Sequence, residues 1–314
     1  MERQRHRKSV DGDHDDEATA AANTGMIELP EVCLATVISF TSPRDACRLS
    51  CVNSLFKLAT ESDAVWDRFL PADYRSLISN SNFCSSSSSM SKKELYLGLC
   101  HNPILIDEGK MSFQLDKLSG KKCYMISARK LAIVWGNTPA YWRWISVPGS
   151  RFPEVAELIH VWWLEIRGEI NTSILSPRTT YGAYLVFKMV VVAYGFVNQA
   201  VEVSFGLVGS ESHKRAVYLD MDRGQRPRQI QFARRNRIDN RSRSLEWQGS
   251  VPRENGGHYP KKRGDGWLEI ELGEIFIGVG EKNVLEMSVM EVTSGNWKAG
   301  LIVQGIEIRP KHSK

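Results

Sequence analysis

The sequence predicts a multi-domain α plus β protein, with a small helical module followed by an antiparallel β-sandwich. Apolar residues recur at helical spacing between Ile27 and Leu70. From about Met111 the pattern changes to short runs of β-branched and aromatic residues, separated by Gly, Pro, Asn and Asp with no amphipathic helix between them. A chain of 314 residues with 42% hydrophobic content is long enough to bury two modest cores.

Three short helices are expected in the helical module. Pro30 suits the first turn of the first helix. Ser42 and Pro43 predict the start of the second helix, whose apolar residues recur at helical spacing through Phe56. The third helix is expected to begin at Asp63 and to stop at Pro71.

The remaining segments are assigned by composition. Residues 1–25 are charged and have few large apolar side chains, which predicts a disordered tail. Residues 71–120 contain a serine run and are interpreted as a helical and serine-rich linker. An arginine-rich insertion at about 210–266 interrupts the β-region and is interpreted as a surface loop. The expected strands are Lys130–Trp135, His160–Ile166, Tyr181–Lys188, Ala200–Val208, Trp267–Leu272, Val284–Val292 and Leu301–Ile308.

The cysteines and the apolar runs indicate where such a protein works. All six cysteines lie in the first half of the chain, so the β-region has no disulfide framework. Cys47 and Cys51 are spaced for one helix face but have no second ligand pair with metal spacing. We therefore expect a reducing compartment, no metal and no cofactor. The N-terminal residues lack the apolar stretch of a signal peptide, and no apolar run approaches the ~20 residues that span a bilayer. The expected location is the cytoplasm and nucleus, without a membrane partner.

The helical module has more apolar surface than about 45 residues can bury alone, so it either packs on the β-region or binds a partner. Its ordered matches are Leu29-Pro30-Glu31, Val37-Ile38-Ser39, Leu49 to Asn53, and Val65-Trp66. With this order and spacing, residues 26–70 resemble an F-box.

The F-box resemblance implies a non-catalytic adaptor role. A member of that family binds a Skp-type adaptor, and through it a cullin. The residues matching the family's adaptor contacts are Leu29, Pro30, Ile38, Leu49 and Val52. The chain departs from the family after Val52, where Asn53 to Phe56 replace Cys-Lys-x-Trp, and Phe56 is expected to replace the aromatic anchor.

An aromatic-rich segment opens the β-region. A Gly-Asn turn is preceded by Trp135 and followed by Tyr141, Trp142 and Trp144. Two interpretations are open from the residues alone. These aromatics are either core residues of a sandwich or flat apolar faces that stack on the C–H face of a sugar ring.

Ordered sequence blocks recur along residues 121–310. They include Ser127-Ala128-Arg129, Trp163 to Ile166, Asp265 to Ile270, Trp297 to Gly300 and Gly305 to Pro310. In this order the blocks resemble the phloem protein 2 family, which includes the tobacco-agglutinin-type lectins. The resemblance implies a jelly-roll-like β-sandwich that binds N-acetylglucosamine oligomers and N-glycan cores. It also implies that Trp135 and Trp142 stack on sugar and that Glu291 supplies an acidic contact.

The order of the two regions resembles plant F-box proteins of the phloem protein 2-B type. The expected function is substrate recognition in a Skp-cullin-F-box ubiquitin ligase complex, with a lectin-like domain that holds a glycoprotein or another protein target. The alternative is a free nucleocytoplasmic carbohydrate-binding lectin without a ligase role.

Catalysis and nucleic-acid binding are weaker interpretations. Glu269, Glu271 and Glu274 lie close together, but solvent-facing strand glutamates explain them better than a glycosidase pair. No P-loop, dinucleotide fingerprint or nucleophile elbow occurs, so no catalytic residue is assigned. The arginines of residues 223–243 suit a polyanion, yet few aromatics accompany them, so nucleic acid is not an expected partner.

Overall fold

The computed structural model describes residues 29–79, 81, 90–210, 214–220, 258–280 and 282–312. The predicted disordered tail of residues 1–25 lies outside the described residues. The same is true of most of the serine run and of residues 221–257 in the arginine-rich insertion.

Six α-helices are present in the described part of the chain, and four of them, not three, fall within residues 26–70. They are α1 (Glu31–Ser39), α2 (Pro43–Leu49), α3 (Ser54–Glu61), α4 (Asp63–Phe69), α5 (Tyr74–Ser79) and α6 (Lys92–His101). The prediction of one helix from Pro43 through Phe56 was wrong, because the side chain of Asn53 caps a new helix. Its Oδ1 accepts a hydrogen bond from the backbone N–H of Phe56 at 2.8 Å. None of the described helices is long and apolar enough to cross a membrane.

Buried aromatic residues join the helical module to the β-region. Trp66 of α4 is fully buried, and its indole N–H donates to the carbonyl of Thr60 at 2.6 Å. The Trp66 ring packs against Phe69 and against Tyr96 of α6, with centroid distances of 5.6 and 5.2 Å. The Tyr96 hydroxyl in turn donates to the carbonyl of Asp116 at 3.1 Å. The helices and the strands therefore share one continuous core.

Fourteen strands form two sheets within the described residues. The first sheet has the order β1-β2-β3-β14-β8-β12-β11, with β6 also pairing with β14 and β5 pairing with β6. The second has the order β10-β9-β13-β7-β4. The strand pairs are antiparallel. The strands are β1 (Ile104–Ile106), β2 (Met111–Leu115), β3 (Lys122–Ser127), β4 (Ala132–Ile133), β5 (Trp142–Ile145), β6 (Val155–Leu158), β7 (Leu164–Asn171), β8 (Thr179–Tyr194), β9 (Ala200–Leu207), β10 (Lys214–Tyr218), β11 (Lys261–Lys262), β12 (Leu268–Ile277), β13 (Val284–Glu291) and β14 (Ala299–Pro310).

Residues 71–120, expected to be a helical and serine-rich linker, contain α5 and α6 and also β1 and β2. The strand β2 begins at Met111, where the strand pattern was expected to start, and pairs with β3 over its whole length. The expected surface loop at 210–266 begins with β10 and includes β11 near its end. The two sheets pack their inner faces into one hydrophobic cluster, represented by Leu185 of β8, Met287 of β13 and Ile306 of β14. The jelly-roll-like connection order stays a prediction.

A buried ion cluster lies on the outer face of the first sheet. Glu307 of β14 is only 2% exposed and accepts hydrogen bonds from Arg151, Arg263 and Arg309 at 3.1, 2.7 and 2.6 Å. Glu269 of β12 binds Arg263 and Arg309 from the other side. Burial opposes ionisation of Glu307, but the three guanidinium groups outweigh it and lower the pKa of Glu307 to about 2.

Candidate functional site

Three loops bring aromatic side chains together beside the two sheets, in a surface that we call the aromatic end. The β4–β5 loop supplies Trp135 and Tyr141, the β6–β7 loop supplies His160 and Trp162, and the β13–β14 loop supplies Trp297. The Trp135 ring lies 5.2 Å from Tyr141 and 6.3 Å from Trp162, measured between centroids. His160 lies 6.0 Å from Tyr141 and 5.3 Å from Trp297. The five rings therefore form one connected surface.

The indoles of the aromatic end are accessible. Trp135, Trp162 and Trp297 are 38%, 43% and 49% exposed. Trp135 also has a φ of 57°, a left-handed conformation that a bulky residue adopts only when its surroundings impose it. The fold thus holds three large apolar faces toward solvent, next to the polar His160 and Tyr141. Such faces suit stacking on the C–H face of a sugar ring or on another apolar group.

Trp142 does not join this accessible surface, contrary to the expectation that it offers a stacking face. It is 2% exposed and belongs to the core, because β5 pairs with β6 and turns the Trp142 side of the strand inward. Its indole nitrogen is also buried, without a hydrogen-bond partner among the described residues. The core interpretation therefore describes Trp142, while Trp135 has the expected exposure.

Glu291 is also buried, which differs from the expected contact with sugar. It forms an ion pair with Lys298, and both side chains are at most 1% exposed. Its carboxylate accepts hydrogen bonds from the backbone N–H and the hydroxyl of Ser294 at 3.0 and 2.9 Å, and from Gln199 at 3.4 Å. Burial opposes ionisation of Glu291, but the bonds from Lys298 and Ser294 outweigh it and lower its pKa. The carboxylate is therefore committed to partners inside the protein.

The Glu291–Lys298 pair positions two of the exposed indoles. The Lys298 ammonium donates to the carbonyl of Trp162 at 2.9 Å and to the carbonyl of Asn296 at 2.7 Å. The backbones of Lys298 and Val161 exchange two further hydrogen bonds, at 2.7 and 3.0 Å. The pair therefore ties the loop that carries Trp297 to the loop that carries Trp162.

Tyr141 was named with Trp135 as a possible stacking face, whereas Trp162, Trp297 and His160 were not predicted for this site. A signal was present for Trp297, which follows the turn residues Gly295 and Asn296 and lies between two predicted strands. Trp162 and His160 were hidden by the predicted strand His160–Ile166 that contains them. Large apolar residues in a connection have no core of their own to fill there.

A second candidate surface lies on α1. Leu29, Val32, Val37 and Phe40 are exposed at spacings of three to five residues, and Val52 after α2 is also exposed. We call Leu29, Val32, Val37 and Phe40 the α1 face. Val52 and Leu58 are the other large apolar side chains of the helical module that are exposed among the described residues.

The structure separates the five residues expected to bind an adaptor. Leu29 and Pro30 are exposed at the start of α1, and Val52 is exposed. Leu49 is half-buried against the core, whereas Ile38 is 1% exposed. The side chain of Ile38 therefore does not reach the surface, because it lies on the buried side of α1 with Leu34 and Ala35.

Comparison with known proteins defines the class. The family model for the F-box domain matches residues 26–68, and the model for phloem protein 2 matches residues 121–310. A helical F-box followed by a two-sheet domain makes the chain an F-box protein, a class whose members are in general non-catalytic adaptor subunits.

The chain belongs to the phloem protein 2 family, in its F-box-containing form. It is 46% identical to F-box protein PP2-B10 of Arabidopsis thaliana, over 90% of this chain and 92% of that protein. It is 42% identical to F-box protein PP2-B1 of the same plant, over 95% of this chain and 94% of that protein. Similarity to solved structures is low, as with a GH115-family 4-O-methyl-α-glucuronidase at 9% identity and a TM-score of 0.29, covering 60% of this chain and 17% of that chain.

Proposed function

We propose that this chain is the substrate-recognition subunit of a Skp-cullin-F-box ubiquitin ligase in the cytoplasm and nucleus. The observation that carries the proposal is the α1 face, an exposed apolar surface within the residues that match the F-box. A Skp-type adaptor would cover this face and connect the chain to a cullin. The chain would do no bond chemistry and would raise the concentration of its target near the ubiquitin-transferring enzyme.

Adaptor capture tests this role. Leu29→Ala/Pro30→Ala is expected to weaken binding of a purified Skp-type adaptor at least about tenfold, because truncating anchor residues at an interface costs more than ~1 kcal/mol each. The measurement is the dissociation constant of the full-length chain for the adaptor.

The matched control is Val191→Ala/Val192→Ala, which truncates two valines of β8 that are as exposed as the α1 face. It should leave adaptor affinity unchanged. Unaltered affinity in Leu29→Ala/Pro30→Ala would contradict the proposed interface. If the adaptor binds neither the folded wild-type chain nor the folded variant, the free-lectin alternative is favoured.

We further propose that the aromatic end holds the target through an N-acetylglucosamine-containing glycan. The accessible indoles of Trp135, Trp162 and Trp297 support this, since each presents a flat apolar face beside polar groups. Trp142 and Glu291 enter this proposal as supports within the protein, because both are buried. The alternative of a free carbohydrate-binding lectin uses the same surface and differs only in lacking the adaptor.

Removing one exposed indole is expected to weaken glycan binding. Trp297→Ala and Trp162→Ala should each reduce affinity for N-acetylglucosamine oligomers by about tenfold, because a central aromatic contact contributes more than ~1 kcal/mol. Isothermal titration with the full-length chain measures the effect.

Tyr259→Ala serves as the control for the glycan experiment. Tyr259 is 40% exposed and stacks on Tyr218, with ring centroids 5.3 Å apart, so it is an exposed ring outside the aromatic end. Its truncation should leave glycan affinity unchanged. If Trp297→Ala and Trp162→Ala bind the oligomers as the wild type does, the aromatic end is not the sugar site.

A further inference from the structure

A groove with an excess of positive charge lies where the helical module meets the first sheet. We call it the junction groove, and its volume is about 910 Å³. It is lined by the start of α2, the end of α4, the turn between β2 and β3, the residues before β8 and the residues after β14. Gly120 of the β2–β3 turn lies close to the end of α4, because a Cβ there would be 3.1 Å from the carbonyl oxygen of Phe69. Its φ of 69° also favours glycine. The two parts of the fold thus approach each other closely at its floor.

The charges of the junction groove do not cancel. Six Arg or Lys residues line it, against two Asp residues, and the cations are Arg44, Arg48, Arg68, Lys121, Lys122 and Lys311. Asp45 pairs with Arg48 at 3.4 Å, and Asp73 pairs with Lys122 at 2.7 Å.

Three cations of the groove keep no carboxylate partner within the described residues. The Lys311 ammonium forms ion pairs with Glu271 and Glu274, which do not line the groove. The remaining three are Arg44, Arg68 and Lys121. Arg68 lies over the ring of Phe40 at 4.3 Å, which holds its guanidinium in place without neutralising it. An anionic segment entering the groove would therefore meet three cations without a carboxylate partner among the described residues, one of which, Arg68, is positioned by Phe40.

The chain itself contains a segment of the complementary charge. Residues 11–17 read DGDHDDE and carry five carboxylates in seven positions. Twelve peptide units separate Glu17 from Leu29, and they reach at most ~40 Å. The helix α1 has nine residues, about 14 Å long, and Thr41 just beyond its end already lines the groove. The acidic segment is therefore within reach.

We propose that residues 11–17 of this chain bind in the junction groove as an acidic peptide, through Arg44, Arg68 and Lys121. Binding within one chain gives the segment a high effective concentration, so weak individual ion pairs suffice. The contact would hold the helical module and the sheet together and would weaken as salt screens the charges. This inference goes beyond the ubiquitin-ligase and glycan roles, and the groove adjoins the α1 face where Arg68 lies over Phe40.

A zero-length carbodiimide crosslink in the full-length chain tests the proposal, because it joins only a carboxylate and an amine that already touch. Mass spectrometry is expected to find residues 11–17 linked to Lys121 or Lys122 in the monomer. The yield should fall at least about fivefold in Arg44→Glu/Arg68→Glu, and by a similar factor in 1 M NaCl. The variant changes two exposed side chains, and its melting temperature is checked first.

The control and a second probe make the result decisive. Lys261→Glu/Lys262→Glu reverses two exposed lysines of β11 outside the groove and should leave the yield unchanged. A synthetic peptide of residues 9–19 should bind a full-length chain whose acidic residues at 11–17 are changed to amides, and should bind it about tenfold more weakly when Arg44→Glu/Arg68→Glu is added. Three results would each overturn the proposal. The crosslinks could be spread evenly over exposed lysines, they could form only between two chains, or the peptide could bind equally well with and without Arg44→Glu/Arg68→Glu.

Discussion

Lys298→Met is expected to lower the free energy of unfolding by about 3–5 kcal/mol, because it leaves the carboxylate of Glu291 buried without a counter-charge. Lys298 is fully buried and its ammonium contacts Glu291 and the carbonyls of Trp162 and Asn296. The substitution retains the apolar stem and removes only the charge and its hydrogen bonds. Urea unfolding of the full-length variant measures the loss.

Two comparisons isolate the buried charge as the cause. Adding Glu291→Gln to Lys298→Met should recover a large part of the loss, since a neutral amide no longer needs the ammonium. Lys110→Met removes an exposed lysine paired with Glu108 at 2.9 Å and should leave the free energy of unfolding unchanged, because solvent screens such a surface pair. The deficit of Lys298→Met should also narrow as the pH is lowered, because protonation neutralises the unpaired carboxyl. A loss below ~1 kcal/mol would contradict the assignment of Glu291 and Lys298 as a positioning pair.

Glu307 is expected to make the stability of the β-region acid-sensitive over a low pH window. Its pKa is about 2 in the folded chain, against an ordinary value of 4.5. Its contribution is therefore complete above about pH 4.5 and is lost as the pH falls from 4.5 through 2. A shift of this size corresponds to about 3 kcal/mol. Glu307→Gln should lose about that much at pH 7, and its difference from the wild type should shrink as the pH approaches 2.

The control for this prediction is Glu154→Gln. Glu154 is 48% exposed and pairs with Arg129 at 2.7 Å, so its loss should cost less than ~1 kcal/mol. Unfolding free energies measured at several pH values between 5 and 2.5 distinguish the two variants. An equal gap between Glu307→Gln and the wild type at every pH would mean that the three arginines do not act through the charge of Glu307.

The linear pattern of the sequence was sufficient for the division of the chain and for its family. Helical spacing before residue 70 and strand runs after residue 111 predicted the two parts, and the ordered blocks predicted both families. The helix count failed at Asn53, because a cap overrode a periodic apolar pattern that continued through Phe56. The short strand β1 was not predicted, because an edge strand of three residues becomes a strand only when its neighbour β2 supplies hydrogen bonds.

The aromatic end could be predicted only in part, because exposure depends on contacts between distant segments. The sequence by itself determined that the chain carries an F-box, a β-rich domain and tryptophans in a position to serve a surface. It did not determine which tryptophans those are. Trp142 is buried by the pairing of β5 with β6. Trp162 contacts Trp135 directly, and Trp297 is connected to it through His160 and Tyr141, from a loop far away in the chain. Likewise, Glu291 becomes an internal support only because Lys298 turns inward to it. Exposure and charge pairing depend on which distant segments pack together, and only the tertiary structure decides that.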